Sequence, residues 1–285
     1  MRTVLLIADL EGITGVDSLE ALVGGGEGAD AAVHRMNEEV AFVARLLLEA
    51  GVEHVRISDA HRSGAPNLDP SLLPARTSVH LEDDLYGGAL LDGVEAVACV
   101  GMHASAQAAG FGAHCVSLST AWTHGGAPLS ETALVRLLAA ERGVPLWFSS
   151  GDDVLARELG EVPFVITKRS RAVDLTASRP WRDVEQDFRA VVRAAPSAVP
   201  DVPRAPLEVR FQTLAEAEAA ATRTGRTRQG TRVILETASS FGAQYTEALR
   251  LIDAAQDALL ARVSGQPGTR EFARSAAALF AARWE

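Results

Sequence analysis

The stretch Thr3–Gly12, "TVLLIADLEG", is an apolar run of strand length that ends in two carboxylates, Asp9 and Glu11. The run reads as a buried strand. Residues two apart in an extended chain point the same way, so Asp9 and Glu11 face one side together. Carboxylates that close repel, and one stays protonated unless a cation neutralises both. A bound metal ion would do so. The plainer alternative is that a lone Asp-x-Glu behind a strand forms a turn or caps a helix.

The pattern recurs downstream. "HVRIS" (54–58) and "VEAVACVG" (94–101) read as the second and third strands, and "HCVSLS" (114–119) as a fourth. A helix from His34 to Ala50 sets Met36, Val40, Val43 and Leu47 on one face and stops at Gly51. Ser130–Arg142 reads as another helix, and "VPLWFSS" (144–150) and "PFVITK" (163–168) as further strands. This alternation predicts an α/β fold, with a mostly parallel sheet flanked by helices. Beyond about Ser170 the texture changes. A Pro-rich crossing (193–209) precedes a strand at "LEVRFQ", an Ala/Glu helix, a strand at "RVILETA" and two Ala-rich helices. The expected division is a metal-binding catalytic domain over 1–175 and a smaller C-terminal α+β domain over 176–285.

The 285 residues are 47% hydrophobic and 5% aromatic, with a formal net charge of −10. Lys168 is the only lysine. An acidic surface argues against nucleic acid or an anionic membrane as partner. No apolar stretch reaches the roughly 20 residues that a membrane-crossing helix needs. Acidic residues interrupt the first apolar run early, so it reads as a strand of a cytoplasmic protein rather than a signal peptide. Cys99 and Cys115 lack metal or disulfide spacing and read as small buried residues.

In a parallel sheet the carboxyl ends of the strands share one edge, where ligands bind. Successive strand ends there carry Asp9 and Glu11, then Asp59 and His61 ("SDAH"), then His103 ("GMHA"). Imidazole beside carboxylate is an ordinary ligand set for zinc or manganese. Singly, His61 reads equally as a loop cap and His103 as a core histidine. His114 is a candidate general acid or base, or a buried structural histidine. Glu131 opens a helix, where negative charge is favoured. Asp152 and Asp153 are helix caps or neighbours of the site, capping being the simpler reading. His124 falls in a Gly-rich turn and reads as a solvated loop residue. His34, His54 and His80 read as structural or surface residues. The Gly-rich "VGGGEGAD" (23–30) follows no strand directly and lacks a phosphate-binding lysine, so it reads as a mobile loop over the site.

Taken in order, "ADLEGITG", "SDAH", "GMHA", "AHCVS", "LSETAL" and "SGDD" resemble the D-aminopeptidase family, peptidase family M55, over about residues 3 to 175. The resemblance implies an α/β domain with a smaller second domain, two zinc ions per subunit and a homodecamer of two stacked five-membered rings. It implies Asp9, Glu11, His61, His103 and Glu131 as metal ligands, with Asp9 bridging, and His114 as the active-site histidine. The segment between His114 and Glu131 departs from the family pattern and is slightly shorter, so D-stereospecificity does not carry over.

The expected activity is hydrolysis of short peptides from the free amino end by a two-metal-activated water. The substrate's amine would pair with Glu11, Asp59 or the "GDD" aspartates. Alternatives are another metal-dependent amide hydrolase of specialised metabolism, a phosphatase, a non-catalytic peptide-binding protein, or a nucleotide-binding module. Against phosphate chemistry, only Arg62 lies beside these motifs.

Overall fold

The computed structural model describes residues 1–61, 66–80, 86, 88–236 and 238–284. Arg62 lies outside them. The strands are β1 (Thr3–Ala8), β2 (His54–Asp59), β3 (Thr77–His80), β4 (Ala96–Met102), β5 (Thr120–His124), β6 (Ala127–Leu129), β7 (Leu146–Asp152), β8 (Phe164–Ala172), β9 (Leu175–Ser178), β10 (Leu207–Phe211), β11 (Arg228–Gln229) and β12 (Arg232–Leu235). The helices are α1 (Ala29–Glu49), α2 (Glu131–Ala140), α3 (Asp153–Leu159), α4 (Trp181–Val191), α5 (Leu214–Thr224), α6 (Phe241–Leu260) and α7 (Arg270–Phe280).

A seven-stranded sheet runs β3-β2-β1-β4-β7-β8-β9. Every pairing in it is parallel except that of β9 with β8. β1 is apolar from Val4 to Ala8 because both of its faces are covered there. Val4, Leu6 and Ala8 pack with Met36, Val40 and Val43 of α1 and Phe188 of α4. Leu5 and Ile7 pack on the other face with Leu134 of α2 and Leu155 of α3. The α/β class and the mostly parallel sheet flanked by helices are as expected.

The strand order reverses between β1 and β4, where an open parallel sheet leaves a crevice outside its carboxyl edge. Two glycines let these strand ends close up. Gly101 interrupts the β4 register at φ +75, and a side chain there would lie 2.1 Å from the Asp9 carbonyl oxygen. One on Gly12 would lie 2.2 Å from the Met102 carbonyl oxygen. Only bare backbone fits at such an approach.

A second, antiparallel sheet runs β11-β12-β10-β5-β6. It corrects the expected fourth strand. "HCVSLS" forms only an isolated bridge between Cys115 and Ser117, and the strand begins at Thr120, pairing with β10 rather than with the parallel sheet. Val116 sits at φ 63, which no regular strand accommodates. The hairpin β5–β6, although early in the chain, therefore completes the sheet that the C-terminal segment builds. Helix α1 starts five residues ahead of the expected His34, at Ala29 (34 − 29 = 5), after Gly28 at φ 83.

Candidate metal centre

The site assembles just past the ends of three strands and at the start of one helix. Asp9 follows β1 and continues its ladder, its amide donating to the Val100 carbonyl at 2.9 Å. Glu11 lies two residues on, His61 two residues past β2, and His103 one residue past β4. Glu131 is the first residue of α2, whose start Ser130 caps by accepting from the Ala133 amide at 3.2 Å. His114 comes from the irregular segment between β4 and β5.

These side chains converge in a buried cluster. His61 Nδ1 lies 3.1 Å from Glu11 Oε2 and 3.5 Å from Asp9 Oδ1. His103 Nε2 lies 3.5 Å from both Asp9 Oδ2 and Glu131 Oε1. His114 Nε2 is 3.7 Å from Glu131 Oε1, and its ring stacks on that of His103 at 4.3 Å.

The donors fit a metal ion in three overlapping groups: Asp9, Glu11 and His61; Asp9, His103 and Glu131; and Glu11, His103 and His114, the ligand atoms of each within 4.8 Å of one another. Asp9 belongs to the first two. Asp9 Oδ2, Glu11 Oε1 and His103 Nε2 are buried with no hydrogen-bond partner, an arrangement that costs about 1–3 kcal/mol per group unless something else satisfies it. Each histidine also anchors its other ring nitrogen on a backbone carbonyl: His61 Nε2 on Leu22 at 2.7 Å, His103 Nδ1 on Ala104 at 2.9 Å, His114 Nδ1 on Gly112 at 2.8 Å. That orients each ring and turns its second nitrogen toward the carboxylates, as metal-ligating histidines require.

The protonation equilibria are tightly linked. Burial, with Glu11 beside it, pushes Asp9 well above the carboxylate range. Burial also raises Glu11, but His61 more than reverses this and holds it low. Glu131 is treated likewise by His103 and falls to about 2. Burial lowers His61 and His103, yet Glu11 and Glu131 respectively outweigh it and raise both. His114 goes the other way, lowered by burial and then by His103.

Other candidates turn out to be structural. Asp59, the last residue of β2, is taken up by Asn67 instead. Its carboxylate accepts from the Asn67 amide at 2.6 Å and from Asn67 Nδ2 at 3.1 Å. Asp152 caps α3 through the Leu155 amide and also holds Ser170, and Asp153 pairs with Arg157. His124, expected in a solvated turn, is instead buried on β5 against the Phe241 ring. His34 pairs with Glu38 on the surface, and His54 and His80 both contact Ser78. The Gly-rich stretch is packed rather than loose, since a side chain on Gly25 would lie 2.2 Å from the Gly268 carbonyl oxygen.

Sequence reasoning missed several supports. The Tyr86 hydroxyl donates to Glu131 Oε2, and the Val116 amide donates to Glu131 Oε1 at 2.7 Å. Lys168 is fully buried and donates to the carbonyls of Glu11, at 2.6 Å, and of Val16. It pins the turn that carries Glu11. Glu158 holds Ser105, two residues past His103, at 2.7 Å. The lone lysine was visible as an oddity, but nothing local said what it touches.

A cleft of about 420 Å³ opens over the cluster, with Asp9, Glu11, His61, His114 and Glu131 at its base. A larger groove of about 600 Å³, lined by Glu141, Arg142 and Val199, is broad and shallow and contains none of these groups.

Three carboxylates and three imidazoles at the carboxyl edge of a parallel sheet, with orphaned donor atoms and an open cleft, define a metal-dependent hydrolase. The chain belongs to the D-aminopeptidase family, peptidase M55, whose model matches residues 1–253. Its fold is similar to that of the Zn-dependent D-aminopeptidase DppA from Bacillus subtilis, a self-compartmentalizing protease. The TM-score is 0.78 at 20% identity, covering 90% of this chain and 98% of that one. At that identity the likeness speaks for the fold alone. No curated relative matches the sequence.

Proposed function

We propose that this protein is a zinc aminopeptidase that binds two cations per subunit and releases the first residue of short peptides. The carrying observation is the pair of donor triads that share Asp9. Asp9, Glu11 and His61 would hold one ion, and Asp9, His103 and Glu131 the other. When bound, such ions polarise a carbonyl and make hydroxide available near neutral pH.

The chain's own groups do the rest. His114, with Nδ1–H held by the Gly112 carbonyl, presents a bare Nε2 that takes a proton and returns it to the leaving amine. Tyr86 and the Val116 amide hold both oxygens of Glu131 in place. The acidic base of the cleft attracts the substrate's ammonium group. Asp59, Asp152 and Asp153 are engaged elsewhere and do not line the cleft, so none of them is the amine's partner.

Among the described residues no helix is long and apolar enough to cross a membrane. We place the enzyme in the cytoplasm as a homo-oligomer, a decamer by the family resemblance, a reading that the self-compartmentalizing character of DppA supports.

Metal analysis of the purified protein tests this reading. About two zinc ions per chain are expected, and His103→Ala should lose metal together with peptidase activity. Full activity after exhaustive chelation would refute it. A panel of peptides, simple amides and phosphate esters separates the aminopeptidase from a general amidase or a phosphatase.

A further inference from the structure

We infer that the preferred substrate carries a bulky apolar residue at its free amino end, received by a wall that α6 and α7 build beside the metal centre. This rests on the aminopeptidase reading and adds the class of side chain.

The lining of the cleft is of two kinds. The groups of the metal centre are acidic or imidazole, whereas Ile252, Leu259, Val263, Phe272, Leu279 and Phe280 offer apolar surface. The wall begins at the reacting groups, for Phe280 meets the His114 ring edge-on at 5.5 Å. It is also tied to a metal-binding side chain. Helix α7 packs on the turn Leu19–Leu22, and the Leu22 carbonyl is what accepts from His61 Nε2. Apolar wall and His61 thus share one support and keep a fixed separation.

The volume suits such a group. About 420 Å³ falls within the range of small-ligand pockets and is roughly fourteen times the share of one water in the liquid, far more than a methyl group fills. Among the described lining residues, no Arg or Lys answers the acidic base. The cleft therefore offers an ammonium site next to an apolar surface. That is the signature of the amino-terminal residue of a peptide such as leucyl or phenylalanyl. Five of the six wall residues, all but Ile252, lie beyond residue 253, where the family match ends. The preference would belong to this chain's own C-terminal helices.

The test uses the zinc-loaded full chain and the amino alcohols alaninol, leucinol and phenylalaninol, of both hands, measured by calorimetry. Leucinol should bind at least about tenfold more tightly than alaninol, since extra buried methylene groups strengthen binding. Ile252→Trp and Val263→Trp, at half-buried positions, fill the wall side of the cleft and should cut that ratio at least about fivefold. Equal affinities across the series overturn the inference, as does a ratio untouched in both variants. Matching aminoacyl p-nitroanilides tell the two readings apart. No turnover of any of them, with the calorimetric gradient intact, removes the aminopeptidase reading and leaves the wall standing. Turnover of alanyl and leucyl substrates at equal efficiency does the reverse.

Discussion

Glu39 offers a direct test of how this fold handles a buried charge. It lies inside α1 with 1% of its surface exposed. Its Oε2 accepts from the Thr14 amide at 3.1 Å, and its Oε1 has no partner. Burial lifts its pKa from the ordinary 4.5 to about 7. Between those values the folded protein keeps a proton that the unfolded chain has released. The unfolding free energy therefore falls as pH rises, by at most about 1.4 kcal/mol per pH unit. Over the whole window that amounts to about 3 kcal/mol. Glu39→Gln removes the titration and keeps the neutral shape. In urea denaturation the variant should match the parent near pH 5 and exceed its stability by about 3 kcal/mol at pH 7.5 to 8. Lys168, pressed down to about 8 by burial, titrates at the upper edge of that range in parent and variant alike, so comparing the two removes its own contribution. A stability difference that stays level from pH 5 to 8, or widens toward acid, would refute the assignment.

Tyr86→Phe removes the hydroxyl that braces Glu131 and should weaken metal binding about 10- to 100-fold in competition with a chelating dye, and unchanged affinity would count against that brace. Asp59→Asn places an amide against the Asn67 N–H and should cost about 2 kcal/mol in urea titrations while metal content stays that of the parent. Loss of metal in that variant would return Asp59 to the centre. Stripping the metal should lower the melting temperature. A site saturated at 100 times its Kd adds about 2.7 kcal/mol to stability, so an unchanged transition after chelation would mean that the cluster binds nothing.

Much of the centre was legible before any coordinates. The apolar run Thr3–Ala8 announces a strand covered on both faces, and carboxylates or imidazoles directly behind three such runs announce a shared edge. The resemblance then supplied Glu131 and the role of His114, whose own neighbourhood says only that a helix starts at Ser130 and that a histidine opens an apolar stretch. The structure gathers all six residues. Local pattern failed where the chain leaves regular geometry. "HCVSLS" has the alternation of a strand, but Val116 takes a left-handed backbone to aim its amide at Glu131. His124 looks like a loop residue from its glycines and is in fact buried on β5.

What the sequence by itself determined is therefore whatever depends on neighbours along the chain: the alternation of strand and helix, the carboxyl-edge placement of Asp9, Glu11, His61 and His103, and the acidic balance of the whole. Contacts between distant segments belong to the tertiary structure alone. Lys168 under Glu11 joins residues 157 positions apart, Tyr86 reaches Glu131 across 45, and α7 supports His61 through a turn near the other end of the chain. Side-chain periodicity carries no information about such separations. They are settled by which surfaces must be covered and which buried polar atoms must be answered once the sheet has closed.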